Sequence, residues 1–126
     1  VAVDPTRFTQ MLDGLLTNAI AYSPAGSPVL VTLRLEEHGG LPVALIEVSD
    51  RGQGVEAHLL PDQIFEPFSR PRLGNQQETG MGLAIARQIA RLHSGSISAQ
   101  VDEVHGINSI TVRMPVRAAL HSPSSD

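Results

Sequence analysis

At 126 residues the chain has the commonest size of a single domain and is long enough to bury a real core. Its formal net charge of −4, with 9 Lys and Arg against 13 Asp and Glu, argues against a nucleic-acid face, which needs a basic patch. With no cysteine it has no disulfide frame, thiolate nucleophile or Cys-based metal site, and no apolar run approaches the roughly 20 residues that span a bilayer. The opening "VAVDPTRF" lacks the basic start and apolar core of a signal peptide. It also lacks an initial Met, so a domain cut from a longer chain is expected.

Asp4 is a good N-cap and Pro5 suits the first helical position. Phe8, Met11, Leu12, Leu15, Leu16, Ala19 and Ile20 then recur at helical spacing, predicting a helix from about Asp4 to Tyr22 that ends at Ser23-Pro24-Ala25-Gly26. "PVLVTLRLEE" alternates through Val29, Val31, Leu33 and Leu35 and reads as a strand, "HGGLP" as a turn, and "VALIEVSD" as the second strand of an antiparallel hairpin. The Pro-rich "LLPDQIFEPFSRPRLGNQQE" has no sustained period and predicts a loop with a helical turn around Asp62 to Phe65. From Gly80 a second helix is expected, with Leu83, Ile85, Ala86, Ile89, Ala90 and Leu92 apolar and a stop at Ser94-Gly95. Two last strands, "SISAQVD" and "INSITVRMP", are joined by a turn at Glu103 to Gly106.

The order helix, strand, strand, loop, helix, strand, strand predicts an α+β fold, a two-layer sandwich with helices on one face of a mixed, mostly antiparallel sheet. It is not the strand-helix alternation of a dinucleotide-binding domain. Residues 1–117 are expected to form the domain and 118–126 a flexible C-terminal tail.

The stretch "EVSDRGQGVE" places Asp50 at a strand end before Gly52 and Gly54, which read alone is a tight turn. Together with "LLTNAIAYSP", "IFEPF" and "TGMGLAIARQIARLHSG", in that order and spacing, it resembles the ATP-binding (HATPase, GHKL-type) catalytic domain of two-component sensor histidine kinases. That group is shared with type II topoisomerases, heat-shock chaperone ATPases and mismatch-repair ATPases. The resemblance covers Asp4 to about Pro115; each box alone is weak, and four in register are specific.

The resemblance implies a nucleotide site made of Asn18, Tyr22, Asp50, Gly52, Gly54, Thr79, Gly80, Met81, Gly82 and Leu83. Asn18 stands where the family's Asn ligates the Mg²⁺ that bridges the ATP phosphates, and an amide oxygen suits so hard a cation. The plain alternative is a polar residue on the helix's solvent face. Asp50 resembles the carboxylate that accepts from the adenine amino group and disfavours a carbonyl at the same place; capping the turn is its alternative. Gly52 and Gly54 would let the backbone approach the base, and "TGMGL" would wrap the phosphates as the helix begins. Tyr22 matches a pocket-lining position or a core boundary. Phe65 and Phe68 look like supports of the lid rather than ligands.

The implied activity is that of a transferase: γ-phosphoryl transfer from ATP to a histidine on a dimerisation domain of the same or a partner chain, then to a response regulator in a phosphorelay. None of His38, His58, His93, His105 and His121 has the family's phosphoacceptor context, so no phosphoacceptor is expected in this chain. The resemblance implies a cytoplasmic domain without membrane contact of its own, in a dimeric parent open to membrane anchoring.

Three positions depart from the pattern. Gly14 replaces a second Asn, or the Glu by which ATPase relatives activate water; Ala21 replaces a cation facing the phosphates; Glu78 adds a carboxylate before "TGMGL". Arg70 or Arg72 could supply lid contacts to phosphate, or simply be solvated. These departures predict weak ATP affinity, or a specialised site, rather than loss of the fold. They keep open an alternative, a degenerate or regulatory module acting through protein contacts; a free-standing ATPase or anti-sigma-type kinase is a third reading, the former disfavoured by the missing base.

Overall fold

A computed structural model of the chain describes residues 5–23, 26–52, 63–66 and 81–115. The elements are α1 (Pro5–Tyr22), β1 (Leu30–His38), β2 (Leu41–Asp50), a 3-10 turn (Gln63–Phe65), α2 (Gly82–Leu92), β3 (Ser96–Asp102) and β4 (Ile107–Pro115). The strands lie in the order β1-β2-β4-β3, and every pairing among the described residues is antiparallel. The expected parallel component is therefore not found there. Both ends of the predicted tail lie outside the described residues.

Met11, Leu15 and Ala19 recur along one face of α1 and are buried, with Phe8 and Leu16 packed beside them. Ile20 falls on the far side of the helix from Met11 and is 65% exposed, so it is not part of the stripe the sequence suggested. In α2, Leu83, Ala86, Ile89 and Ala90 are buried, while Leu92 is 65% exposed. Opposite them, Ile46 and Val48 of β2 and Ile110, Val112 and Met114 of β4 complete the core. Those strand residues alternate with neighbours on the other face, as the period of two requires.

β1 differs from its sequence reading. It begins at Leu30 rather than Pro28, and Leu33 and Leu35 are 70% and 73% exposed. The strand pairs only with β2 among the described residues, so its apolar face meets Phe8 and Pro5 across an open groove of about 450 Å³ rather than a filled core.

α2 stops as expected, by a different division of labour. The left-handed residue is Ser94, at φ 62°, and Gly95 N donates to Ala90 O at 2.8 Å. Gly95 is required because a Cβ there would collide with the Arg113 carbonyl of β4.

Candidate functional site

Asp50 ends β2 directly opposite Asn108 of β4. Its Oδ1 accepts from Gly52 N at 2.8 Å and from Asn108 Nδ2 at 3.1 Å. Asn108 Nδ2 also donates to Gly52 O at 3.0 Å. Asp50 therefore does cap the turn, the simpler of its two sequence readings, but with one oxygen only. Asp50 and Gly52 are half-buried, and Asn108 is 8% exposed. Arg51 fastens the same turn from outside, donating to His105 O in the β3–β4 connection at 3.1 Å.

A second group of candidates gathers where the helices cross. Asn18 is 6% exposed, one turn beyond Gly14 on the apolar side of α1. That excludes the solvent-face reading of Asn18. Gly14 touches Gly82, the first residue of α2: a Cβ on Gly14 would lie 2.5 Å from Gly82 O. Side chains could not bring the helices so close, and the contact sets the start of α2 beside the Asn18 turn of α1. Ile85 N donates to Met81 O at 2.9 Å, so the first-turn amides from Gly82 onward have no acceptor within the helix. Met81 at the N-cap contributes no side-chain cap. The Leu83 side chain enters the core, leaving only its backbone for a ligand.

The 3-10 turn is held from the core side. Ile64 and Phe65 are buried at 2% and 1% exposure, Arg87 of α2 lies 5.9 Å from the Phe65 ring centroid, and Arg87 pairs with Glu66 at 2.9 Å. Phe65 is thus part of the buried core, while the lid it was expected to support lies outside the described residues. Ala21, at the position expected to lack a phosphate-facing cation, is 6% exposed.

Gly54, Phe68, Arg70, Arg72, Glu78, Thr79 and Gly80 lie outside the described residues, as does the side chain of Tyr22. Among the sequence-derived candidates, then, Asp50 and Gly52 are brought together, and Asn18 stands one turn from the Gly14–Gly82 contact. Asn108 was missed. In "INSITV" it reads only as one more residue of an alternating strand, and its place opposite Asp50 exists only in the register of β2 with β4.

With this geometry in view, the relatives are informative. The family described as histidine kinase-, DNA gyrase B-, and HSP90-like ATPase matches residues 3–118. A bacteriophytochrome of Pseudomonas aeruginosa is 37% identical over 98% of this chain and 16% of that protein. The sensor histidine kinase WalK of Bacillus subtilis is 32% identical over 93% of this chain and 19% of its own length. The chain thus spans less than a fifth of either relative. Among solved structures, a mycobacterial sensor histidine kinase, MprB, superposes with a TM-score of 0.70 at 25% identity, covering 91% of this chain and 76% of the other. Full-length ShkA, solved with AMPPNP, superposes at 0.63 and 23% identity over 86% of this chain and 21% of that one, a likeness of fold. The antiparallel sheet under two helices, the turn at Asp50 and the family match lead to one assignment: this chain belongs to the histidine kinase-, DNA gyrase B- and HSP90-like ATPase family, as an ATP-binding domain of the sensor histidine kinase type.

Proposed function

We propose that the chain binds ATP with Mg²⁺ and donates the γ-phosphate to a histidine on a separate dimerisation domain, from which a response regulator is phosphorylated. The observation that carries this reading is the Asp50 turn. One carboxylate oxygen is taken up by Gly52 N and Asn108 Nδ2, which leaves the other oxygen to accept from a ligand's amino group at the end of β2. A purine bearing a 6-amino group suits such an acceptor, and a 6-oxo purine would set two acceptors face to face.

Asn18 supplies an amide oxygen of the kind Mg²⁺ accepts. Among the described residues no three His, Cys, Asp or Glu side chains gather as a metal site, so Asn18 would share the ion with phosphate oxygens and water. Bound there, Mg²⁺ neutralises charge on the phosphates. The chain's own part is to hold the triphosphate at the amides that open α2, whose dipole favours anions, and to fix the base at Asp50. The family resemblance would extend the site to Thr79, Gly80 and Met81 for the phosphates, Tyr22 and Gly54 for the pocket, and Arg70 or Arg72 for a phosphate contact; of these only Met81 and the Tyr22 backbone lie among the described residues. Positioning of this kind provides most of the catalysis in phosphoryl transfer.

The second reading, a regulatory module with weak or no nucleotide binding, is favoured by the Gly14–Gly82 contact, which leaves no room for a ligand side chain at position 14, and by burial of Ala21. Incubating the chain with γ-labelled ATP and its histidine-bearing partner domain separates the two. Acid-labile label on the partner is expected; absence of transfer with both domains folded favours the regulatory reading.

A further inference from the structure

We infer that Asn108 is a specificity-determining positioning residue, which fixes the orientation of the Asp50 carboxylate and thereby how strongly its free acceptor oxygen favours a 6-amino over a 6-oxo purine. The inference rests on the proposed adenine reading of Asp50 and deepens it.

The chemistry follows from the donors. Asp50 Oδ1 and Gly52 O are both acceptors, so the group that Asn108 presents to the two of them must be its NH₂, which lies 3.1 Å and 3.0 Å away. Gly52 N adds a second donor to the same Oδ1 at 2.8 Å. Two donors on one oxygen hold the carboxylate in one orientation and leave the other oxygen to the ligand. Asn108 is itself fixed by the antiparallel register that sets it opposite Asp50 and by its burial at 8% exposure. Both oxygens of Asp50 are acceptors, so the amide sets where the free one stands toward the base, without touching the base; only an amide at position 50 would have its polarity chosen as well.

This arrangement has a consequence for Asp50→Asn. The new amide must turn its oxygen toward Gly52 N and Asn108 NH₂, which forces its own NH₂ to the ligand side. An acceptor becomes a donor, and the preferred base becomes one with a 6-oxo group.

The test is competitive titration of the 126-residue chain with ATP and ITP, for the unmodified chain and for Asn108→Ala, Asn108→Asp, Asp50→Asn and the Asp50→Asn/Asn108→Ala pair. The unmodified chain is expected to prefer ATP. Asn108→Ala lowers the ATP:ITP affinity ratio by about tenfold, the scale of one hydrogen bond to a charged group. Asn108→Asp, which keeps the volume but opposes acceptor to acceptor, lowers it at least as far. Asp50→Asn reverses the preference toward ITP, and removing Asn108 from that background weakens the reversal. A purely structural role for Asn108 would weaken both nucleotides equally and leave the ratio unchanged; that result, in folded variants that still bind, overturns the inference while sparing the ATP reading. Should both Asn108 variants unfold by circular dichroism, Asp50→Asn decides alone, and no gain for ITP overturns the inference. Binding of neither nucleotide by the unmodified chain overturns the ATP reading, and this inference with it.

Discussion

Gly14 and Gly82 meet backbone to backbone where α1 crosses the start of α2: a Cβ on Gly14 would stand 2.5 Å from Gly82 O, and one on Gly82 would stand 3.1 Å from Gly14 O. Because the obstacle is backbone, it cannot swing aside as a flexible side chain would. Gly14→Ala is expected to destabilise the chain by about 1–3 kcal/mol, and Gly14→Asn by more, without tightening nucleotide binding. Urea denaturation and a nucleotide titration of each variant check this; a stable Gly14→Asn protein that binds ATP more tightly would contradict it.

The end of α2 offers an opposed pair of substitutions. Ser94 holds φ 62° without being glycine, a conformation that costs an L-residue about 1–2 kcal/mol. Ser94→Gly is expected to stabilise by up to about 1 kcal/mol, part of the relief being offset by unfolded-state entropy. Gly95→Ala is expected to destabilise, because its methyl would strike the Arg113 carbonyl. Denaturation midpoints with unchanged m-values would register both; equal effects of the same sign would argue against the division of labour between these residues.

At the 3-10 turn, burial outweighs charge. Phe65 is 1% exposed, and Phe65→Ala is expected to cost about 3–5 kcal/mol. The Arg87–Glu66 pair has side chains 17% and 57% exposed, so solvent screens it, and Glu66→Gln is expected to cost under about 1 kcal/mol. Thermal melts of the two variants should differ by many degrees; comparable losses would mean the ion pair matters more than the ring.

The β3–β4 turn carries a pH signature. The His105 ring, hydrogen-bonded to Asp102 at 2.8 Å, holds the Asp102 carboxyl below its ordinary value of 3.8. A lowered carboxylate value in the folded state contributes stability above the ordinary value and loses it as the pH falls through the folded one. Carboxyl NMR titration should therefore place Asp102 below 3.8, and His105→Ala should move it back up. An Asp102 that titrates ordinarily in the unmodified chain would remove the effect.

The chain alone is expected not to autophosphorylate. His38 sits beside Glu36 at the β1 end, His93 caps α2 with Nδ1 2.8 Å from Ile89 O, and His105 is on Asp102. His58 and His121 lie outside the described residues. Acid-labile phosphate accumulating on the isolated chain would contradict this expectation.

Apolar periods and turn residues made the two α-helices and four strands of the described residues legible in the sequence. Met11, Leu15 and Ala19 follow the helical repeat into the core, and Ile46 and Val48 follow the strand repeat. Hydrophobicity alone could not say that Leu33 and Leu35 remain exposed, because that depends on where β1 falls in the sheet order. Asn18 and Asp50 were found through boxes of local sequence. Asn108 was not, since its meeting with Asp50 joins positions 58 apart in the chain and leaves no local trace. The tight crossing at Gly14 and Gly82 was likewise hidden: in sequence Gly14 registers as a missing ligand, whereas in space it is also the residue that lets two helices touch.

The most direct test of the central claim is calorimetric titration with a non-hydrolysable ATP analogue, with and without Mg²⁺, of the unmodified chain beside Asn18→Ala and Asp50→Ala. The account predicts Mg²⁺-dependent binding, weaker than low micromolar, that both substitutions diminish. No binding at millimolar nucleotide by a folded chain, or binding indifferent to both substitutions, would contradict it.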